Sequence, residues 1–392
     1  METRSGRSAV VVGGGIAGLA TGLALRRAGW DVRVRERTAD GAAAGAGLVL
    51  WPNAVHCLQV LGVAGAVRER ASVLHRSTLR RPSGRLLSSV DARELARRCG
   101  QPLLGIARAD LGEVLTRALG RDALHLGCEV TDPAGEEADL VVGADGISSL
   151  VRRSLWPDGP RPDHRGYTAW RALVPGADLL RGTGAAEGAG ETWGRGERFG
   201  VVPVGAAGTY VYATADAPRG ARAGDELGEL RERFGRWHAP VPALLAAIEP
   251  GTVLRHDVHD LPVGATALQR GRTALVGDAA HALEPNLGQG ACLALEDAVV
   301  LAHALDAEGS VPSALLRYER ERLPRVTALA RRSRHLGHLA QSAHPLLVLA
   351  RDAAVSATPA RLGLRAAGRV AGWRPPTSPP TSPPARTPQE PR

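Results

Sequence analysis

The chain contains no lysine: all 49 of its basic residues are arginine. That absence excludes Schiff-base chemistry of the pyridoxal-phosphate kind and the P-loop ATP site, each of which needs a lysine amine. Aromatic residues make up only 3% of the sequence and none gather into an RNA-binding signature. The net charge of +9 comes from arginines scattered along the chain rather than massed in one stripe, so no nucleic-acid partner is expected. The four cysteines, Cys57, Cys99, Cys128 and Cys292, are far apart and form no C-x-x-C pair, which argues against a disulfide framework and against zinc. His256 and His259 lack a third ligand, so no metal is expected, and a reducing cytoplasm is the simplest setting. Long apolar runs are also missing. The uncharged stretch Ser8 to Leu25 follows Arg4 and Arg7 and imitates a signal peptide or membrane span. Gly13, Gly14, Gly15, Gly18 and Gly22 would weaken such a helix, so no integral membrane segment is expected.

What is present begins inside that stretch. Ala9 to Val12 is a short apolar run, followed by Gly13-Gly14-Gly15-Ile16-Ala17-Gly18 and an Ala/Leu-rich helix ending near Gly29. In a strand, glycine turn and helix of this kind, Gly13 permits the tight bend, Gly15 lets backbone approach a pyrophosphate, and Gly18 lets helix and strand pack closely beside Ala17. A second strand, Asp31 to Arg35, leads to Glu36 and Arg37, where the Glu36 carboxylate can accept both ribose hydroxyls of an adenosine. This much specifies a dinucleotide without saying which.

Two downstream segments narrow it. Ala138 to Val142 runs into Gly143-Ala144-Asp145-Gly146-Ile147-Ser148-Ser149-Leu150-Val151-Arg152, and Thr273 to Val276 runs into Gly277-Asp278-Ala279-Ala280-His281, then Pro285-Asn286-Leu287-Gly288-Gln289-Gly290. Read alone, Asp145-Gly146 is a turn and Ser149 a helix cap. Together these segments resemble the D-G-x-x-S-x-V-R and second flavin fingerprints of the class A flavoprotein aromatic hydroxylases, which share the p-hydroxybenzoate hydroxylase fold. Gly45-Ala46-Gly47-Leu48 with Pro52-Asn53-Ala54, and Arg108-Ala109-Asp110-Leu111, fit the same pattern, so the resemblance spans about residues 8 to 345.

The resemblance implies an α/β architecture: a Rossmann-like FAD-binding domain, an inserted antiparallel-sheet substrate domain and C-terminal helices. The FAD domain is expected over 1–75, 101–165 and 263–340, and the sheet over 76–100 and 166–262, where Tyr167 to Val174, Phe199 to Val204 and Thr209 to Thr214 read as strands. Helical spacing is read over Gln289 to Ala307, Val311 to Gly337 and Pro345 to Ala367, with interruptions at Pro312 and Pro324. A C-terminal helical segment is assigned to 341–372, and the proline-rich stretch Trp373 to Arg392 is expected to be a disordered tail. Relatives carry a strand pair where this chain has only the segment between Cys128 and Ala138, which predicts a shorter or more mobile edge.

For the cofactor, the resemblance implies that Arg108 and Gly47-Leu48 contact FAD and that Asp145 and Arg152 support its pyrophosphate region. Gly277 and Asp278 reach the ribityl chain, while Pro285, Gly288, Gln289 and Gly290 face the isoalloxazine, where a helix N-terminus favours negative charge. The implied reaction uses NAD(P)H as a transiently docked co-substrate. Hydride reduces FAD, O2 adds at flavin C4a, and the distal oxygen of the hydroperoxide passes to a small aromatic or heteroaromatic substrate. The missing lysine, and the lack of W-x-W-x-I-P, argue against a flavin halogenase. The lack of a second G-x-G-x-x-G argues against a two-dinucleotide reductase. An epoxidase or ring-oxygenating variant, and an oxidase or dehydrogenase without oxygen transfer, stay open, as do monomer and homodimer.

Arg198 and Tyr210 are the candidate catalytic residues, because the Arg resembles one lying near the flavin in the urate-hydroxylating branch and Tyr210 follows at the same interval. Arg198 could stabilise an anionic substrate and Tyr210 orient it or relay a proton. The alternatives are a solvated strand-edge arginine and an ordinary sheet tyrosine. Trp170, Arg171 and Trp193 are read as pocket walls or, alternatively, as sheet packing. His281 reads as a structural histidine beside the cofactor.

Overall fold

The computed structural model describes residues 7–39, 46–176, 180, 188–262, 264 and 267–376. Gly45 and residues 377–392 of the proline-rich stretch lie outside the described residues.

A six-stranded sheet carries the nucleotide-binding pattern. Its strands run β15 (Gln269–Arg270), β16 (Thr273–Leu275), β9 (Leu140–Gly143), β1 (Ser8–Val12), β2 (Asp31–Glu36) and β8 (Leu124–Leu126). From β16 to β8 every pairing is parallel. Parallel interior strands are covered on both faces, which is why β1, β9 and β16 read as unbroken apolar runs rather than alternating ones. The order places the carboxyl ends of β16, β9 and β1 side by side, so three glycine-containing segments far apart in sequence meet along one edge.

A seven-stranded sheet runs β14 (Leu254–Asp260), β10 (Asp163–Val174), β13 (Thr209–Asp216), β12 (Glu197–Pro203), β11 (Gly188–Trp193), β5 (Arg76–Arg80) and β6 (Leu86–Asp91). All its pairings are antiparallel except β11 with β5, the junction where residues 76–91 join the later strands. A smaller sheet, β3 (Gly47–Leu50), β7 (Leu103–Ala107) and β4 (Ser72–Leu74), bridges the two. The segment between Cys128 and Ala138 forms no strand, but it is fastened: Arg35 pairs with Glu136 at 2.9 Å, and Arg272 donates to the carbonyls of Ala134, Glu136 and Ala138.

Five helices, α1 (Ile16–Arg27), α2 (Pro52–Val60), α3 (Ala64–Arg70), α4 (Ala92–Cys99) and α5 (Arg108–Leu119), fill the first third. Then come α6 (Leu150–Leu155), α7 (Glu226–Phe234), α8 (Val241–Ala247) and α9 (Asp278–His281). The C-terminal third holds α10 (Gly290–Ala307), α11 (Val311–Ala340), α12 (Pro345–Ala357) and α13 (Ala360–Ala371). Neither expected interruption of α11 occurs. Pro312 sits in the first turn, where its missing N–H has no intrahelical partner to lose, and the helix continues through Pro324. The break falls instead at Pro359, which separates α12 from α13 within the span expected to be one helix. The start of the tail is also ordered differently from expectation: Trp373 is half-buried, with the guanidinium groups of Arg322 and Arg325 5.6 and 5.4 Å from its ring.

Candidate active site

Close packing of backbone on backbone defines the nucleotide end. Gly13 has φ +109°, and a Cβ there would lie 2.5 Å from the Ala144 carbonyl oxygen; a Cβ on Gly18 would lie 1.8 Å from the Gly13 oxygen. Only glycine fits either position. Gly277 approaches from the other side, its absent Cβ 2.8 Å from that of Ala17. Gly15 differs: its open side meets only the Arg108 guanidinium at 3.8 Å. Helix α1 starts there with no side-chain cap and no acidic residue in its first turn, so its positive end is left uncompensated. At the end of β2 the Glu36 carboxylate accepts from the Gly14 amide at 2.6 Å and from the Thr38 amide and hydroxyl at 2.9 Å. Burial pushes its pKa up, but these hydrogen bonds outweigh burial and hold it below the usual glutamate value. Oε1 takes both Thr38 donors and Oε2 only the Gly14 amide, so Oε2 keeps a lone pair for another donor. Arg37 beside it is exposed.

Asp145 works first as a cap. Its Oδ2 accepts from the amides of Leu150 at 2.6 Å and Val151 at 3.2 Å, while its buried Oδ1 has no partner among the described residues. Ser149 caps the same short helix through the Arg152 amide at 2.9 Å. The buried Arg152 side chain donates to the carbonyls of Ile147 and, at 2.6 Å, Ala279, tying this segment to the one after β16. Asp278, in contrast, stands exposed at its strand end.

Behind these loops lies a buried ionic network that the sequence reading missed. Asp297 on α10 accepts from the Gly277 amide at 2.8 Å, contacts His281 Nε2 at 2.6 Å and accepts from Arg322 Nε at 2.7 Å. Burial pushes the Asp297 carboxyl up, but His281 and Arg322 outweigh it and the pKa falls. Its neighbour Glu296 takes Arg322 and Arg325 at 2.6 Å each and Asn53 at 2.7 Å; Asn53 also donates to Gln289 at 3.0 Å. A single cluster thus clamps the Gly277 turn and the Pro285–Gly290 loop. Its one legible sign is Glu296-Asp297 within the apolar stretch Ala291 to Ala302.

The seven-stranded sheet has two faces. On the back, Trp170, Phe199, Val201, Val211 and Ala213 pack against α7 and α8. Trp170 donates to Glu226 at 2.7 Å, and Arg255 lies 4.8 Å from its ring, so it is not a wall of any front-side pocket. On the front, register brings Arg198, Gly200 and Val202 beside Thr214, Tyr212 and Tyr210, with Arg171 and Leu173 flanking. Trp193 and Glu191 continue this face on β11. Trp193 is buried, with the Arg351 guanidinium 5.3 Å from its ring.

Arg198 is 3% exposed and is no solvated edge residue. Its Nε donates to Gln341 at 2.9 Å and Thr214 at 3.0 Å, Nη1 donates to Asn286 at 2.7 Å, and the buried Nη2 has no partner among the described residues. Asn286 belongs to the Pro285–Gly290 loop, so this arginine joins the sheet to the glycine-rich loop. Below it Tyr167 donates to Glu284 at 2.9 Å. Tyr210 does not meet Arg198: register opposes Arg198 to Thr214, four residues along β13. Tyr210 instead packs its ring on Gly47, whose Cβ would lie 2.5 Å away, and hydrogen-bonds Arg171. Leu48, next on β3, is half-buried against the main core. Tyr212 lies between Tyr210 and Arg198, across the open backbone of Gly200. It is hydrogen-bonded to Glu191, whose oxygen is 3.7 Å from Arg198 Nη1. The Glu191 side chain keeps 25% of its surface accessible although its strand is interior to the sheet, as expected of a group lining a cleft. Burial pushes its pKa up; Arg198 opposes the shift without cancelling it.

The FAD binding domain family matches residues 7–333. The chain belongs to this family. Its members of this kind are class A flavoprotein monooxygenases of the p-hydroxybenzoate hydroxylase fold. The aurachin C monooxygenase/isomerase of Stigmatella aurantiaca is 37% identical over 86% of this chain and 91% of its own length. The FAD-dependent urate hydroxylase of Klebsiella pneumoniae is 33% identical over 83% and 88%. A crystal structure of K. pneumoniae HpxO with FAD and uric acid superposes with a TM-score of 0.86 at 28% identity, covering 94% of this chain and 97% of that one. The protein is therefore an FAD-dependent monooxygenase. Its residues fit the cofactor: an open, uncapped helix start at Gly15, a carboxylate at Glu36, an exposed one at Asp278, and buried polar atoms on Asp145 and Gln289 that have no partner among the described residues.

Proposed function

We propose that the protein is a single-component monooxygenase that takes reducing equivalents from NAD(P)H and hydroxylates a small aromatic or heteroaromatic substrate held on the front face of the seven-stranded sheet. The observation that carries this reading is Arg198, buried between sheet and glycine-rich loop with one guanidinium nitrogen unpartnered among the described residues. A buried donor of this strength without an acceptor is costly unless a ligand supplies one. The relatives act on such rings, as their names state for urate.

In this reading Glu36 accepts the adenosine ribose hydroxyls, and the α1 N-terminus with Arg108 takes the pyrophosphate. Asp278 accepts from the ribityl chain. Gly288, Gln289 and Gly290 open α10, another helix start without a cap or acidic first turn, toward the negative charge of the reduced ring. When bound, FAD supplies the redox step and the activation of O2. Arg198, held by Asn286, Gln341 and Thr214, donates Nη2–H to a ring oxygen or nitrogen of the substrate. Glu191 and Tyr212 form the complementary pair: a carboxyl raised by burial holds its proton more firmly than an ordinary glutamate and can exchange it with a substrate N–H or O–H. Tyr210, fixed on Gly47, and the apolar Val202 and Leu173 exclude water from the same face. The joining of β5 and β6 to this sheet supports assigning 76–100 with 166–262 to one substrate domain.

The test is NAD(P)H oxidation by the flavin-loaded protein over phenols, purines and fused heteroaromatics, with hydrogen peroxide and oxygenated product quantified together. The expected result is substrate-stimulated oxidation with product matching consumed NAD(P)H. Peroxide as the sole product with every compound would overturn the oxygen-transfer reading.

A further inference from the structure

The C-terminal helices carry an outward face that the reaction does not use. Leu346, Leu347 and Leu349, in the first turns of α12, are 69%, 61% and 59% exposed. They are not loose. The inner side of α12 is fastened by Arg351, which donates to the carbonyls of Ala340 and Gly194 at 3.1 Å each, and by Asp352, which pairs with Arg81 at 2.7 Å. Both α12 and α13 lie against β6, so their outer surfaces share one side of the molecule. On α13, Arg361, Arg365 and Arg369 recur every fourth residue and are exposed, with Leu362 46% exposed beside them.

The charge on α12 and α13 themselves has one sign. From Val326 to Pro376 the only acidic residue is Asp352, buried in its pairs with Arg351 and Arg81. Adjacent exposed leucines are unusual on a soluble surface and mark an interaction site. An exposed arginine stripe with no carboxylate on its own helix marks an anionic partner. The leucines protrude from a helix rather than line a groove, which suits a fluid apolar phase better than a folded peptide. A second copy is disfavoured because a two-fold contact would set arginine stripe against arginine stripe. No helix among the described residues is long and apolar enough to cross a membrane, so insertion would be shallow.

We propose that the α12–α13 face docks the protein on the surface of a lipid bilayer containing anionic headgroups, with Leu346, Leu347 and Leu349 entering the acyl boundary and Arg361, Arg365 and Arg369 meeting the headgroups. The test is co-sedimentation of the flavin-loaded full chain with vesicles of phosphatidylglycerol mixed with phosphatidylcholine, against phosphatidylcholine alone, over a salt series. Binding should favour the anionic vesicles and weaken as salt rises. The double variant Leu346→Asp/Leu347→Asp should lose about tenfold or more in partitioning, and Arg361→Gln/Arg365→Gln should lose less while flattening the salt dependence. The flavin absorbance of each variant reports that the fold is kept. Wild-type protein that stays in the supernatant, or partitioning unchanged by the leucine double variant, overturns the proposal. So does a dimer in light scattering that the leucine variant converts to monomer without vesicle binding, since a second copy would then cover the face.

Discussion

The two ends of the proposed site are built on opposite principles. At the nucleotide end, backbone packs on backbone: Gly13 against Ala144, Gly18 against Gly13, Gly277 against Ala17, with the Glu296–Asp297–Arg322 cluster locking the loops from behind. At the sheet face, the side chains proposed for the chemistry come from separate strands, and two are incompletely satisfied: Arg198 Nη2 has no partner among the described residues and Glu191 keeps accessible surface. A rigid end suits a ligand shared by a whole family, whereas an unsatisfied face suits a ligand that differs between members. The difference predicts that damage at the first end removes flavin and stability together, and damage at the second removes turnover alone.

The largest expected effect is at the first end. Arg322→Met leaves Glu296 and Asp297 buried with one cation fewer, which should cost about 3–5 kcal/mol and release flavin. Thermal unfolding and bound-flavin absorbance check this together. The pH dependence has a defined sign. Asp297 titrates below its ordinary value when folded, so its stabilisation is present above the ordinary aspartate range and is lost as pH falls through the lowered pKa. Removing Arg322 should shrink that acid-side loss. A variant with wild-type stability but no flavin would break the link between clamp and fold.

Next in size is Arg198→Gln, expected to keep flavin and melting temperature while lowering kcat/KM by about a hundredfold, equivalent to about 2.7 kcal/mol of lost transition-state binding. Loss of flavin in this variant would show that the two ends are not separable. Glu191→Gln should cost less, about tenfold in kcat/KM, and should remove one limb of the pH profile. The folded carboxyl titrates above its ordinary value, so the stability tied to its protonated form is complete below the ordinary glutamate range and declines as pH rises through the raised pKa. The Gln variant should therefore lose less stability than wild type toward alkaline pH. An unchanged pH profile would remove Glu191 from the proton exchange.

The same contrast explains what could be read in the sequence. Phosphate-binding turns are local, because the backbone must bend within a few residues, so Gly13, Gly18, Asp145 and Gly277 appear as linear motifs in strand–turn–helix context. Sheet faces are not local. Whether Tyr210 or Tyr212 faces Arg198 depends on the pairing of β12 with β13, and no spacing within one strand reveals that register. Part of the face was legible nonetheless. Trp170 and Arg171 are adjacent on one strand, so period-two alternation forbids both from lining the same pocket. The helix through Pro324 was not legible, since its continuation rests on packing of α11 against α10 and the Pro285–Leu287 turn.

Trp170 gives the smallest effect and the sharpest control. Its residue type suits either a pocket wall or sheet packing, and it lies on the back face as packing, donating to Glu226 beneath Arg255. Trp170→Phe keeps most of the apolar volume and removes the indole N–H and the better cation–π surface, which together should cost about 1–2 kcal/mol. The comparison requires that this loss appear in the melting temperature while kcat/KM stays within about twofold of wild type. A tenfold fall in kcat/KM with flavin intact would mean that back-face packing sets the geometry of the front. The sheet would then be a strained element through which Glu226 and Arg255 act on Arg198, and the division into a rigid cofactor end and an independently variable substrate face would fail.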